Sequence, residues 1–212
     1  MSEQMDPAME QKRGLTRMQV KRLVQAINPD FVEKKQSQSY MAQHEVRAEL
    51  TRIFGYGNWD SQVEEMQFVY EYEVGPDHPE YPKDKPKNKI YWRVCYRAAV
   101  RLTIRDYWGN EVCSFVEWHA EANSILPDRG EAHAMAITSV ESYALRRAAI
   151  NLGDRLGLGL YKKGQTDPLV RGTLQLIDPA SPQYAQGEEK EAAPGLARLQ
   201  EATNTADERG EN

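Results

Sequence analysis

The sequence predicts an α+β fold, in which an antiparallel β-meander of three or more strands packs on a long helix. Two stretches of alternating polarity, Met66–Val74 and Tyr91–Asp106, predict neighbouring strands, and Glu111–Ala122 returns after a short turn. Downstream, apolar residues recur at helical spacing from Glu131 to Leu152. A run of strands followed by one long helix is typical of the α+β class.

Two shorter helices are predicted before the strands. Thr16 can cap a helix whose apolar residues recur at helical spacing from Val20, and Pro29 ends it because the residue before a proline disfavours helical backbone. A second helix is expected over Ser39–Phe54 and ends at the glycines of "FGYGNW". The segment 75–89, with four prolines and four lysines, is expected to form a loop.

Composition divides the chain into three parts. Residues 1–14 and the acidic tail 164–212 are expected to be mostly disordered, and 15–163 form the folded domain. The net charge is −5, and the tail alone holds 4 Lys+Arg against 9 Asp+Glu, so the remainder is balanced and a polyanionic partner is allowed. Two cysteines, and no apolar run near the ~20 residues of a membrane span, favour a reduced cytoplasmic setting without a membrane partner.

Arginines line one face of the predicted strand Tyr91–Asp106. They recur every four residues, roughly 13 Å apart at ~3.3 Å per residue, which is comparable with two nucleotides of an extended single strand. They are Arg93, Arg97, Arg101 and Arg105. Each guanidinium can bind a phosphate through two hydrogen bonds. Alternatively, each pairs on the sheet with a glutamate, and the hairpin register decides which carboxylates share the face. The available glutamates are Glu71, Glu73, Glu111 and Glu117.

The long helix carries a second basic group. Arg146 and Arg147 lie away from its apolar side, with Tyr143 beside them. Aromatic stacking combined with phosphate contacts is how single strands are held without sequence preference, and an ordinary solvated helix face is the alternative. The lysines of the loop 75–89 indicate a solvated hairpin tip or a weak auxiliary phosphate contact.

Metal and catalytic sites are poorly supported by the sequence. The Cys and His residues have no zinc-ligand spacing, and the carboxylates form no recognised nuclease or glycosidase pattern. The glycine-rich "GDRLGLG" lacks the Gly-Lys-Ser/Thr end of a P-loop. We therefore expect no enzymatic activity, no metal and no cofactor.

Three segments in this order resemble the Rad-fifty-two family of single-strand DNA annealing proteins, including its phage-encoded members. Tyr40 leads a helix that ends in "FGYGNW", Val100–Asp106 matches a basic strand, and Ser142–Tyr161 matches a basic helix followed by glycines. The resemblance covers about residues 15–163. The chain departs from the family pattern at Glu45, where a basic residue is usual, and Arg47 lies two residues further on.

The resemblance implies an oligomeric ring or arc that binds single-stranded DNA in a groove with its bases outward. Such a protein anneals complementary strands without ATP, in homologous recombination or DNA repair. The family's basic pair corresponds to Arg146 and Arg147, and Arg101 and Arg105 match basic strand positions. The candidate DNA-binding residues are Tyr40, Arg47, Arg93, Arg97, Arg101, Arg105, Tyr143, Arg146, Arg147, Lys162 and Lys163.

Three alternatives remain open at this point. They are a non-annealing single-strand DNA coating protein, a metal-dependent nuclease, and an interaction scaffold without DNA affinity. The expected partners are single-stranded DNA and further copies of the chain, with a host single-strand binding protein or recombination protein as a candidate for the tail. If the protein is phage-encoded, the bacterial host cytoplasm is its expected location.

Overall fold

The computed structural model describes residues 14–35, 38–170 and 172–173. Almost all of the predicted N-terminal segment 1–14, and most of the predicted acidic tail 164–212, lie outside these described residues. The three-part division of the chain therefore stays a prediction.

Three α-helices and two antiparallel sheets form the described part of the chain. In chain order they are α1 (Arg17–Leu23), β1 (Val32–Lys35), β2 (Gln38–Met41), α2 (Gln43–Phe54), β3 (Trp59–Val74), β4 (Tyr91–Arg105), β5 (Glu111–Leu126) and α3 (Arg129–Ile150). β1 pairs with β2, and β3, β4 and β5 form a three-stranded sheet in that order. The predicted mixed class with antiparallel strands is confirmed.

The core lies between one face of the three-stranded sheet and the helices. β4 contributes Val100, Leu102 and Ile104, which are at most 1% exposed and belong to a cluster that includes residues of α2 and α3. The side chains that α3 adds are mostly alanines, such as Ala144 and Ala148, and small side chains let a helix backbone approach a sheet closely. The alternation seen in the sequence of β4 therefore reflects one apolar face on this core and one face that carries the arginines.

The first helix begins as predicted and ends earlier than predicted. Thr16 accepts a hydrogen bond from the Gln19 backbone amide, and the Gln19 side chain accepts one from the Thr16 amide, so both free donors are satisfied. Val20 and Leu23 are buried, and the helix ends at Leu23 instead of continuing to the residues before Pro29.

The predicted start of the second helix was wrong. Residues Gln38–Met41 form strand β2, and α2 begins only at Gln43. The hairpin partner β1 was not predicted, because four residues of mixed polarity carry no periodic signal. Tyr40 pairs with Glu33 across this hairpin, so it lies on a strand and not at the head of a helix. Pairing with β1 thus overrides the helical pattern of the segment.

Strands β3 and β5 are longer than predicted, and two irregularities interrupt the β3–β4 register. The predicted strand Met66–Val74 begins at Trp59, and Glu111–Ala122 continues to Leu126. The β3–β4 pairing shifts between Val63 and Glu65 and again between Phe68 and Tyr70. A bulge adds an unpaired residue and reverses the facing of the residues beyond it, so simple alternation fails along β3. Residues 75–90 form the predicted loop, and α3 begins two residues earlier than expected.

A buried carboxylate joins the N-terminal helices to the turn that follows α3. Glu49 of α2 is fully buried, and its oxygens lie 3.2 Å from Arg22, 2.9 Å from Arg52 and 2.6 Å from Arg155. Burial raises the pKa of Glu49, but the hydrogen bonds from Arg155 and Arg52 outweigh it and hold the pKa below its usual value. The ionised carboxylate therefore holds three arginines from three segments in place.

Candidate nucleic-acid interface

An open groove of about 980 Å³ runs beside the C-terminal half of α3. Its walls come from β2, β5, α3 and the two 3₁₀ turns, Asp154–Leu156 and Leu158–Tyr161, that follow α3. The charged and aromatic side chains lining it include Tyr40, Tyr143, Arg146, Arg147, Tyr161 and Lys163. Five of these six residues were predicted from the sequence, so the fold brings them together although they come from distant segments.

Arg146 contacts two tyrosine rings in this groove. Its guanidinium carbon lies 4.0 Å from the ring centroid of Tyr143 and 4.7 Å from that of Tyr40. These distances are typical of cation–π contacts. One guanidinium nitrogen, Nη1, also donates to the carbonyl oxygen of Met41 at 3.3 Å. The two rings and the carbonyl together orient Arg146, and its remaining N–H groups can serve a ligand.

Tyr40 is itself held by its hairpin partner. Its hydroxyl donates to Glu33 Oε2 at 2.7 Å, and this hydrogen bond raises the pKa of Tyr40 above its usual value. The protonated tyrosine is therefore fixed on β2 with its ring toward Arg146. The strand position of Tyr40, which corrects the predicted helix, is what allows this contact.

A histidine on β5 adds a further ring contact to Tyr143. The ring of His119 on β5 stacks on Tyr143 with centroids 4.7 Å apart and planes inclined by 21°. We call the continuous series His119, Tyr143, Arg146 and Tyr40 the Arg146 stack. Because Tyr143 already contacts two planar groups, its ring orients Arg146 more than it offers a free surface for a base.

Arg147 lies next to the stack and has a carboxylate partner. Its Nη2 atom is 3.3 Å from Glu117 Oε2, and the Asn151 amide donates to the other Glu117 oxygen at 3.2 Å. The Arg147 side chain is 46% exposed, so the pair is in contact with solvent. Glu117 pairs with Val100 in the sheet register and therefore shares the face that α3 covers.

The far wall of the groove comes from the segment after the 3₁₀ turns. Lys163 lines the groove and has a φ of 57°, which is uncommon for a residue with a side chain, whereas Lys162 is exposed and does not line it. The chain is held there by Asp154, whose carboxylate accepts backbone hydrogen bonds from Leu169 at 2.9 Å and Val170 at 2.7 Å. These residues belong to the segment that the sequence assigned to the tail.

The four strand arginines lie on the opposite face of the sheet from α3. Three of them contact carboxylates: Arg93 with Glu80, Arg101 with Glu64, and Arg105 with Asp60. Arg97 differs, because its Nε donates to Gln67 at 2.5 Å and its guanidinium lies 5.6 Å from the Trp118 ring centroid. The hydrogen bond from Arg101 to Glu64 raises the pKa of Arg101. None of these four arginines belongs to the described residues that line the groove.

The carboxylate partners differ from those that the sequence offered. Glu71 binds Arg129 and His133, and Glu117 binds Arg147 on the helix side. Only Glu111 shares the arginine face, where it lies opposite Arg105 in the register. The shifts in the β3–β4 and β4–β5 registers explain why the partners differ, since each shift changes which carboxylates share the face of the arginines.

One candidate DNA-binding residue, Arg47, lies outside the groove, and two residues that were not candidates line it. Arg47 pairs with Glu141 of α3 at 3.6 Å and does not line the groove. His119 and Tyr161 line it and were not among the candidate DNA-binding residues. The alternation Glu117-x-His119 could have placed His119 on the helix side, but only with the β4–β5 register in hand.

The described residues contain no cluster of three or more His, Cys, Asp or Glu side chains suited to a metal ion. Among the helices of the same residues, none combines the length and apolar character that a membrane span requires.

The sequence was also compared with known proteins. No curated protein matches the chain. The family model described as Rad52/22 family double-strand break repair protein matches residues 15–171. This match spans every element described above, and it bears out the resemblance seen in the sequence. The functional context that it supports is DNA recombination and repair. The chain belongs to the Rad52/22 family of double-strand break repair proteins.

Proposed function

We propose that the protein binds single-stranded DNA in the groove beside α3 and anneals complementary strands without ATP. The single observation that carries this proposal is the Arg146 stack, which holds one guanidinium between two tyrosine rings beside Arg147 and Lys163. A preorganised guanidinium loses little conformational freedom when it binds a phosphate.

The groove is suited to the backbone of a single strand and not to its bases. Arg146, Arg147 and Lys163 supply positive charge, and guanidinium groups form two parallel hydrogen bonds with phosphate oxygens. Tyr143, the ring nearest to Arg146, is already in contact with His119. A strand held by its phosphates leaves its base edges free to pair, which is what annealing requires.

The same proposal includes the assembly and the setting of the protein. Copies of the chain form a ring or arc, so that a long strand follows consecutive grooves. The acidic tail binds a host single-strand binding protein or a recombination protein, and the protein acts in the cytoplasm without an enzymatic step of its own. Family membership supports the recombination and repair context of these expectations.

The decisive experiment replaces Arg146 and Arg147 with Ala. Binding of a labelled oligonucleotide and the annealing rate of two complementary dye-labelled strands are measured over a range of salt. Wild-type affinity should fall steeply with salt. In a plot of log binding constant against log salt concentration, the slope of the double variant should be shallower by about 0.7 for each phosphate contact removed. The annealing rate of the variant should approach that of protein-free strands.

The control variant Lys85→Ala/Lys87→Ala removes the same charge from the exposed loop and should retain annealing. Thermal unfolding by circular dichroism verifies that both variants are folded. Unchanged annealing by a folded Arg146→Ala/Arg147→Ala protein would refute the proposal. Binding that slows pairing of the strands would instead indicate a coating protein. Magnesium-dependent shortening of the oligonucleotide would indicate a nuclease. The lack of any binding at low salt would indicate a scaffold.

A further inference from the structure

A carboxylate beside the groove, Glu117, contacts the groove-lining residue Arg147. Glu117 extends from β5 to Arg147, with Oε2 3.3 Å from Arg147 Nη2. Its second oxygen accepts the Asn151 amide at 3.2 Å, so the carboxylate is held from two sides. Asn151 is the C-cap residue that follows α3, and its amide also donates to the Arg147 carbonyl at 3.3 Å. The carboxylate therefore has a fixed position against the groove arginine.

The Arg147–Glu117 ion pair is weak enough for another anion to displace the carboxylate. The Arg147 and Glu117 side chains are 46% and 29% exposed, and ion pairs with this exposure are weak. The ion pairs of Glu49 are different, since that carboxylate is fully buried and contacts three arginines. A phosphate, like a carboxylate, can accept two parallel hydrogen bonds from one guanidinium.

We propose that Glu117 is an internal competitor of the DNA phosphate for Arg147. Without DNA, the carboxylate occupies the guanidinium. With DNA, a phosphate replaces it, and Glu117 keeps its hydrogen bond from Asn151. This inference rests on the proposed function, because it assumes that the groove binds a nucleic-acid backbone.

The competition has a direct kinetic consequence. A carboxylate that stays within reach of Arg147 can reoccupy it as soon as a phosphate contact opens, so it hastens dissociation of the strand. Changes at one contact of an interface usually appear in the dissociation rate, with the association rate little altered. Glu117 therefore favours release of the DNA, a step that must follow pairing of the two strands.

The test is the isosteric variant Glu117→Gln, which keeps an acceptor for the Asn151 amide and removes the charge. We expect its Kd for a labelled oligonucleotide at low salt to fall roughly two- to fivefold, through slower dissociation in stopped-flow measurements, as suits an exposed ion pair. The matched control Glu73→Gln removes one negative charge from β3, the opposite edge strand of the sheet, and should change Kd by less than half as much.

A double-mutant cycle makes the assignment specific. In an Arg147→Ala background, Glu117→Gln should have no more effect than Glu73→Gln. An unchanged or higher Kd for folded Glu117→Gln, or an equal effect in both backgrounds, overturns the inference while the proposed function stands. If the wild-type protein binds no oligonucleotide at low salt, both the function and the inference fail.

A second variant keeps the test valid if Glu117→Gln does not fold. Glu117→Asp retains the charge but withdraws the carboxylate from Arg147 by one methylene group. This variant should also have a lower Kd than the wild-type protein. A higher Kd for folded Glu117→Asp would overturn the inference as well.

Discussion

The guanidinium of Arg146 lies 4.0 Å from the ring centroid of Tyr143, three residues earlier on α3. Residues at this spacing are neighbours on a helix surface, so the contact is local and is expected to form with the helix itself. The second ring, Tyr40, comes from a strand more than 100 residues away along the chain, as does the Met41 carbonyl that Arg146 binds. Helix geometry and tertiary packing thus each supply one side of the Arg146 stack.

Replacing Tyr143 with Ala should weaken single-stranded DNA binding although the ring does not need to touch a base. Loss of a partly exposed cation–π contact of about 1 kcal/mol corresponds to a roughly fivefold rise in Kd. Fluorescence anisotropy with a labelled oligonucleotide measures it. Tyr143→Phe keeps the ring and is the matched control, and a Phe variant as weak as the Ala variant would contradict an orienting role for the ring.

The strand arginines should contribute less to DNA binding than the helix pair. Arg101 and Arg105 have carboxylate partners, Glu64 and Asp60, on the sheet face away from α3. A phosphate must displace these partners, so we expect Arg101→Ala/Arg105→Ala to raise Kd less than about threefold, within the range of exposed ion pairs. The comparison is with Arg146→Ala/Arg147→Ala in the same anisotropy assay. An equal loss in both variants would assign the strand face to the DNA site.

Acid should destabilise the fold in part through Glu49. Its pKa is lower in the folded protein than the unfolded value of about 4.3, so its contribution is present above that pH and is lost as the pH falls through the folded pKa. Glu49→Gln should flatten the decline below about pH 4.3 and lower the free energy of unfolding at pH 7 by about 3 kcal/mol. Urea unfolding across this pH range measures both effects.

The control for Glu49 is Glu45→Gln on the same helix. Glu45 lies 3.8 Å from Arg52 and is partly exposed, so this change should cost less than about 1 kcal/mol. An equal cost for both variants would show that the burial of Glu49 is not what makes its arginine contacts important.

Gly153, which lies between α3 and the 3₁₀ turn Asp154–Leu156, should not tolerate a side chain. Its φ is 135°, and an added Cβ would lie 2.8 Å from the Leu23 carbonyl oxygen. Gly153→Ala should therefore lower the free energy of unfolding by about 3 kcal/mol, which combines backbone strain with the clash. Gly57→Ala is the control, because its φ is also positive at 83° but a Cβ there meets no atom within 4 Å.

The Gly57 variant should lose only about 1 kcal/mol, the strain of a left-handed backbone. Thermal or urea unfolding of the two variants separates the contributions. Equal losses would mean that the approach of Leu23 to Gly153 is not tight in solution.

Much of the fold could be predicted from local patterns. The cap at Thr16, the alternation along β4 and the long helix with Arg146 and Arg147 depend on residues near one another in the chain, and the structure contains each of them. The hairpin β1–β2 could not be predicted in the same way, since its strands are four residues long and gain their stability from pairing.

The sequence by itself determined the α+β class, the basic pair beside Tyr143 and the row of arginines on one face of β4. Only the tertiary structure decided which of these groups share a surface. It placed Tyr40 and Arg146 together in the groove and the β4 arginines on the far face of the sheet, among Asp60, Glu64 and Glu80. The physical reason is that the register between neighbouring strands decides which side chains share a face of the sheet. Bulges in β3 alter that register without a signal in the local pattern.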